Sequence, residues 1–180
     1  MNGSGAMIIG LRLLGSVFLV LAFASVCVAD GITGSIGAWA GKLTVGPVAS
    51  LESGSSVELK LSGSNKRFAV SFVVGDRVLL DGEFQQGSRP GMYEPPASVG
   101  LLSFLGSKTP ANPLKGMPLA WARTSEGALI LYKLEVLAGN YVLDRVRLEP
   151  GQVGMHVAFE RRRPEKSPER FEADLTRGQE

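Results

Sequence analysis

Residues 67–84 read RFAVSFVVGDRVLLDGEF, two alternating runs joined by Gly75-Asp76. In the first run Phe68, Val70, Phe72 and Val74 alternate with Arg67, Ala69, Ser71 and Val73. In the second, Val78, Leu80 and Phe84 alternate with Arg77, Asp81 and Glu83. A side-chain period of two belongs to a strand. Gly-Asp supplies the positive φ that a two-residue hairpin needs. The stretch therefore predicts an antiparallel hairpin with one apolar face.

The same rhythm continues on both sides. Trp39–Val45 and Val57–Leu61 come before it; Leu119–Arg123, Ala128–Leu137, Tyr141–Leu148 and Val153–Arg163 come after. Gly139-Asn140 is a second tight spacer, and Ser62–Lys66 and Glu149–Gln152 are longer turns. Strands joined by short turns pair with their sequence neighbours. Such a meander removes its exposed edges by closing on itself. The expected fold class is all-β: an antiparallel up-and-down barrel of about eight strands over residues 30–163.

Two stretches depart from the rhythm. Residues 85–118 hold six of the ten prolines, among them Pro95-Pro96 and Pro110. Proline cannot donate to a ladder, so this reads as a long Pro-rich loop inserted in the barrel. It contains an apolar island, Val99–Leu105. Residues 164–180 form a charged tail. There Ser167-Pro168 looks like a helix start, and Phe171 and Leu175 sit four apart, which predicts a short C-terminal helix.

The first 29 residues have a different character. Arg12 is their only charge, Leu13–Val28 is apolar, and Cys27 and Ala29 are small residues three and one positions before Asp30. That is the layout of a secretory signal peptide, with cleavage expected after Ala29 or Ala24. The reading places the protein in the periplasm or among secreted proteins. Membrane contact is expected only through this segment, if it stays uncut as an anchor. Cys27 is the only cysteine, so a chain cut after Ala29 has no thiol, and no intrachain disulfide is possible with either cut.

The net charge of +2 gives no strongly basic surface, which argues against nucleic acid as a partner. Catalytic devices are equally scarce. His156 is the only histidine and lies in a strand run between Met155 and Val157, without a Gly-x-Ser-x-Gly elbow anywhere after residue 29. One histidine and one cysteine cannot supply a structural zinc site. Asp81, Glu83 and Glu58 read as a wet strand face rather than a catalytic acid pair. Gly31, Gly34 and Gly37 lack the strand that precedes a nucleotide-binding turn, and Asp30–Ile36 reads as an extended lead-in. The expected protein is not an enzyme, holds no metal and needs no cofactor.

What is left is binding. Arg123, Tyr132 and Arg145 are expected to grip an acidic head group in the barrel lumen, with an apolar tail beside Phe68, Phe72 and Trp121. The other reading has the arginines in water and the barrel filled by its own side chains.

Gly37-Ala38-Trp39, opening the first strand of this meander, resembles the Gly-x-Trp signature of lipocalins and related calycin barrels. The resemblance implies that Trp39 closes one barrel end, with Arg161 or Arg163 from the last strand packed across it. It also implies carriage of small hydrophobic ligands outside the cytoplasm. Two functions stay open: a carrier of a small apolar or acidic molecule, and an envelope protein-interaction module such as an assembly factor or protease inhibitor. In the second, the lead-in and the Pro-rich loop are the expected contact elements.

Overall fold

The computed structural model describes residues 31–45, 53–96 and 112–178. The expected signal peptide and the apolar island Val99–Leu105 lie outside the described residues.

A short helix, α1 (Gly31–Ser35), precedes ten strands: β1 (Gly37–Val45), β2 (Ser56–Gly63), β3 (Arg67–Val74), β4 (Arg77–Gln86), β5 (Met92–Glu94), β6 (Leu119–Ser125), β7 (Ala128–Leu137), β8 (Asn140–Pro150), β9 (Gly154–Arg162) and β10 (Glu169–Arg177). Each strand pairs antiparallel with its sequence neighbours, and β10 pairs with β1 to close the barrel.

The two strands beyond the expected eight sit where the sequence reading stopped. β5 is only three residues long and lies inside the Pro-rich stretch; two cross-strand pairs on each side hold it. β10 replaces the expected C-terminal helix. Phe171, Ala173 and Leu175 point inward and are buried, while Arg170, Glu172, Asp174 and Thr176 point out. The four-residue spacing of Phe171 and Leu175 fits a strand as well as a helix once Ala173 is counted. Pairing with β1 and β9 then decides in favour of the strand.

The inner face carries Leu59, Phe72, Leu131, Leu148, Val157 and Phe171, all fully buried. Aromatic rings tie distant parts of the wall together: Phe159 stacks on Phe171 at 4.7 Å, and Phe72 lies 6.3 Å from Phe171 across three strand steps. Gly41 is the inward residue of β1 between Trp39 and Leu43, where a Cβ would stand 2.5 Å from the Asp174 carbonyl oxygen. Only glycine lets β10 come this close to β1.

A bulge corrects one facing in the opening hairpin. The register shifts between Phe72 and Val73, so Leu79 and Leu80 are both buried while Val78 faces solvent at the turn. One extra residue reverses the alternation from that point to the strand end. The β6–β7 and β7–β8 turns, Glu126-Gly127 and Ala138-Gly139, have positive φ at both central residues, the geometry that matches strand twist.

Strict up-and-down order puts the β2–β3, β4–β5, β6–β7 and β8–β9 turns at one end, with α1. The C-terminal ends of β1, β3, β5, β7 and β9 lie at the opposite end, called here the mouth. The stretch expected to be an extended lead-in is the helix α1, with a bond from the Ile36 amide to the Ile32 carbonyl. It leaves β1, crosses the barrel end and packs against β6, β7 and β8 on the far side, with Ile32 fully buried in the core.

Candidate functional site

At the helix end the Trp39 indole donates to the Ser35 carbonyl at 2.9 Å, and the Arg177 guanidinium lies 5.1 Å over the indole ring. Arg177 also donates to the Ile36 carbonyl. The basic residue across Trp39 is therefore Arg177 on β10. Arg161 and Arg163 lie at the mouth. β9 was expected to be the last strand, but β1 closes against β10, so the basic residue comes from there.

At the mouth the inward positions of β7 to β10 carry charge. Arg161 makes two 2.7 Å bonds to Asp144, whose side chain is almost fully buried, and its guanidinium lies over the Phe159 ring. Asp144 holds the Arg161 pKa above its ordinary value, against the opposing pull of burial. Lys133 pairs with Glu135 at 2.7 Å and Arg163 with Glu169 at 3.0 Å. Each positive charge in this ring has its acid within the protein.

The four polar and aromatic candidates on β6 to β8 are on the outer wall, not in the lumen. Ala122, Leu131 and Val146 fill the inward positions of those strands. The sequence pattern misled because polarity is inverted here: near the mouth the inward residues are charged and the outward ones apolar. Phe68 and Phe72 do lie inside, as part of the core, so the expected site divides between two faces.

On the outer wall the register aligns the candidates in one row. Trp121 is opposite Tyr132, Tyr132 opposite Arg145, Arg145 opposite Glu160 and Glu160 opposite Arg170. The Trp121 and Tyr132 rings stack at 4.9 Å, nearly parallel, and Arg123 reaches over Tyr132 at 5.9 Å. Glu160 accepts from Arg162 at 2.7 Å and from Arg170 at 3.2 Å, with Arg145 3.8 Å away. The Arg162 hydrogen bond lowers the Glu160 pKa, against the opposing effect of burial and with added help from Arg170. Arg147 pairs with Glu149.

Three guanidinium groups thus converge on one carboxylate. Arg145 holds the least satisfied of them: its Nε is buried without a hydrogen-bond partner. It borders two shallow grooves. One, of about 280 Å³, is lined by Arg123, Tyr132, Leu143, Arg145, Glu160 and Arg162. The other, of about 260 Å³, runs past Arg147, Ala158 and Arg170. Arginine donors beside an aromatic face and an aliphatic side chain suit an anionic group attached to an apolar body.

Sequence reasoning missed Glu160, Arg162 and Arg170 as site residues because they fell in or next to the charged tail. The signal was there: from Arg170 to Thr176 polar residues alternate with Phe171, Ala173 and Leu175. His156 is also on the outer wall, with Nδ1 2.8 Å from Asp174. Among the described residues no group of three or more His, Cys, Asp or Glu side chains could hold a metal, and no helix is long and apolar enough to cross a membrane.

No family model matches the chain, and no curated protein matches it. Among solved structures it is similar to the crystal structure of Rv2717c from M. tuberculosis, at 11% identity, covering 82% of this chain and 95% of that one, with a TM-score of 0.46. The described residues form a closed antiparallel β-barrel of ten strands.

Proposed function

We propose that this protein is an exported, non-enzymatic binding protein that takes an acidic group on its outer wall, at Arg145. The carrying observation is the convergence of Arg145, Arg162 and Arg170 on the single carboxylate of Glu160, with the buried Arg145 Nε unpartnered beside a groove. A carboxylate or phosphate bound in the groove pairs with the exposed part of the Arg145 side chain. The Tyr132 ring and Leu143 cover the apolar part next to it.

A second reading has the acidic group presented by another envelope protein. The openness of the row, which runs across five strands rather than into a pocket, favours it. Both readings use the same arginine, and one titration separates them. Purified exported protein, labelled with ¹⁵N, is titrated with decanoate and with a glutamate-rich peptide. Shifts of the Trp121 indole N–H with decanoate, abolished by Arg145→Met, support the small-molecule reading. Shifts with the peptide alone support the protein partner. Absence of both overturns acid binding at this wall.

A further inference from the structure

Among the described residues, large exposed apolar side chains are concentrated at the mouth. Val78, Leu114, Met117, Leu137 and Tyr141 are there, and only Val153 is at the helix end. They stand on separate connections: the β3–β4 turn, the short 3-10 turn at Pro113–Lys115 with the segment after it, and the β7–β8 hairpin. The 3-10 turn packs against β7, the strand that leads into the hairpin.

Below this rim the chemistry changes in order down three adjacent strands. On β6 to β8 the first rows of the outer wall are apolar: Val136 is opposite Tyr141, and Leu119, Leu134 and Leu143 align in the next row, which continues on β9 to Arg162. The stacked Trp121–Tyr132 pair comes next, in the same row as Arg145. One row further down lie Arg123 and Arg147, aligned through Ile130. Consecutive rows are two residues apart, about 7 Å along a strand. Aliphatic tips, then flat aromatic rings, then arginines is the order of environments met on leaving a bilayer: acyl chains, interface, phosphates.

We infer that the mouth end of the barrel docks on the surface of an anionic lipid bilayer, with the β7–β8 hairpin and the Leu114 turn inserted and the Arg145 row at the level of the lipid phosphates. Separate tips around a rim can each sink into a fluid phase, whereas a folded partner needs a continuous complementary patch. Charge fits as well: Lys115 follows Leu114 directly, and arginines border the aromatic pair. The arginine part of this inference rests on the acid-binding reading above; the insertion of the tips does not.

The test is sedimentation of the purified exported protein with vesicles of phosphatidylcholine alone and of phosphatidylcholine mixed with phosphatidylglycerol. The expected result is binding to the mixed vesicles, weaker binding to the neutral ones, and at least about a tenfold loss of partitioning in the double variant Leu114→Ser, Leu137→Ser. Both side chains are exposed, so the variant keeps its thermal midpoint. It also keeps the decanoate response at Arg145, which separates this inference from acid binding. No binding to either vesicle, or full binding by the double variant, overturns the inference. Vesicle binding that survives Arg145→Met while decanoate binding is lost retains the inserted tips and removes the phosphate contact.

Discussion

The two ends of the barrel solve opposite problems with opposite residues. At the helix end an apolar interior is shut off by backbone and apolar surface: α1 crosses from wall to wall, Ile32 is buried beneath it, and the Trp39 indole is bonded to Ser35. The turns around it, such as Ser64-Asn65-Lys66, are polar. At the mouth the interior is lined by paired charges and the apolar side chains face outward. A barrel end that only had to be closed has the first form. Charge turned inward and apolar tips turned outward make sense for an end that meets something other than water.

The largest expected effect tests the sealed end. Trp39→Ala removes a buried indole and its hydrogen bond to α1, and is expected to cost about 3–5 kcal/mol in urea unfolding. Retention of wild-type stability would mean that α1 is held without Trp39. The mouth should respond differently. Asp144→Ala leaves Arg161 partly buried without its acid, at a cost of about 3 kcal/mol. The paired change Asp144→Leu, Arg161→Met is expected to restore most of that, because it removes both charges together. Failure of the pair to recover would show that the mouth needs its ionic ring for folding.

The contrast was only partly legible in the sequence. The hairpins of β2–β4 and β6–β9 follow directly from the period of two and their turn residues. β5 was hidden because three residues among prolines carry no period. β10 was hidden because its outward charges resemble a solvated tail. The site was legible as residue types: Trp121, Arg123, Tyr132 and Arg145 do come together. Their facing was not. Along β7 the inward Lys133 and Glu135 look like surface, and the outward Tyr132 and Leu134 look like core. Hydrophobic alternation tells which residues share a face, but it names the core face only where the core is the more apolar of the two.

The smallest expected effect is electrostatic and lies on the outer wall. The Glu160 pKa is lowered in the folded state, chiefly by Arg162. A group with a lowered folded pKa contributes stability above its unfolded pKa and loses it as pH falls through the folded value. The acid limb of a stability profile, below the ordinary carboxylate range, should therefore flatten in Glu160→Gln. The exposure of Arg162 and Arg170 keeps the change small and sensitive to salt. An unchanged acid limb would show that the arginines do not hold this carboxylate in solution.

The closure of β1 on β10 also sets an order of events. Trp39 and Arg177 are cross-strand partners at nearly opposite ends of the described chain. Until the last strand emerges, the growing sheet has a free edge on both sides, and the loop to be closed is close to the whole domain. Each row of unpaired peptide groups invites pairing with another chain until then. The wall becomes continuous only when the C-terminal residues arrive. A chain released from its N-terminus onward therefore has no closed barrel until its β10 residues are free to pair.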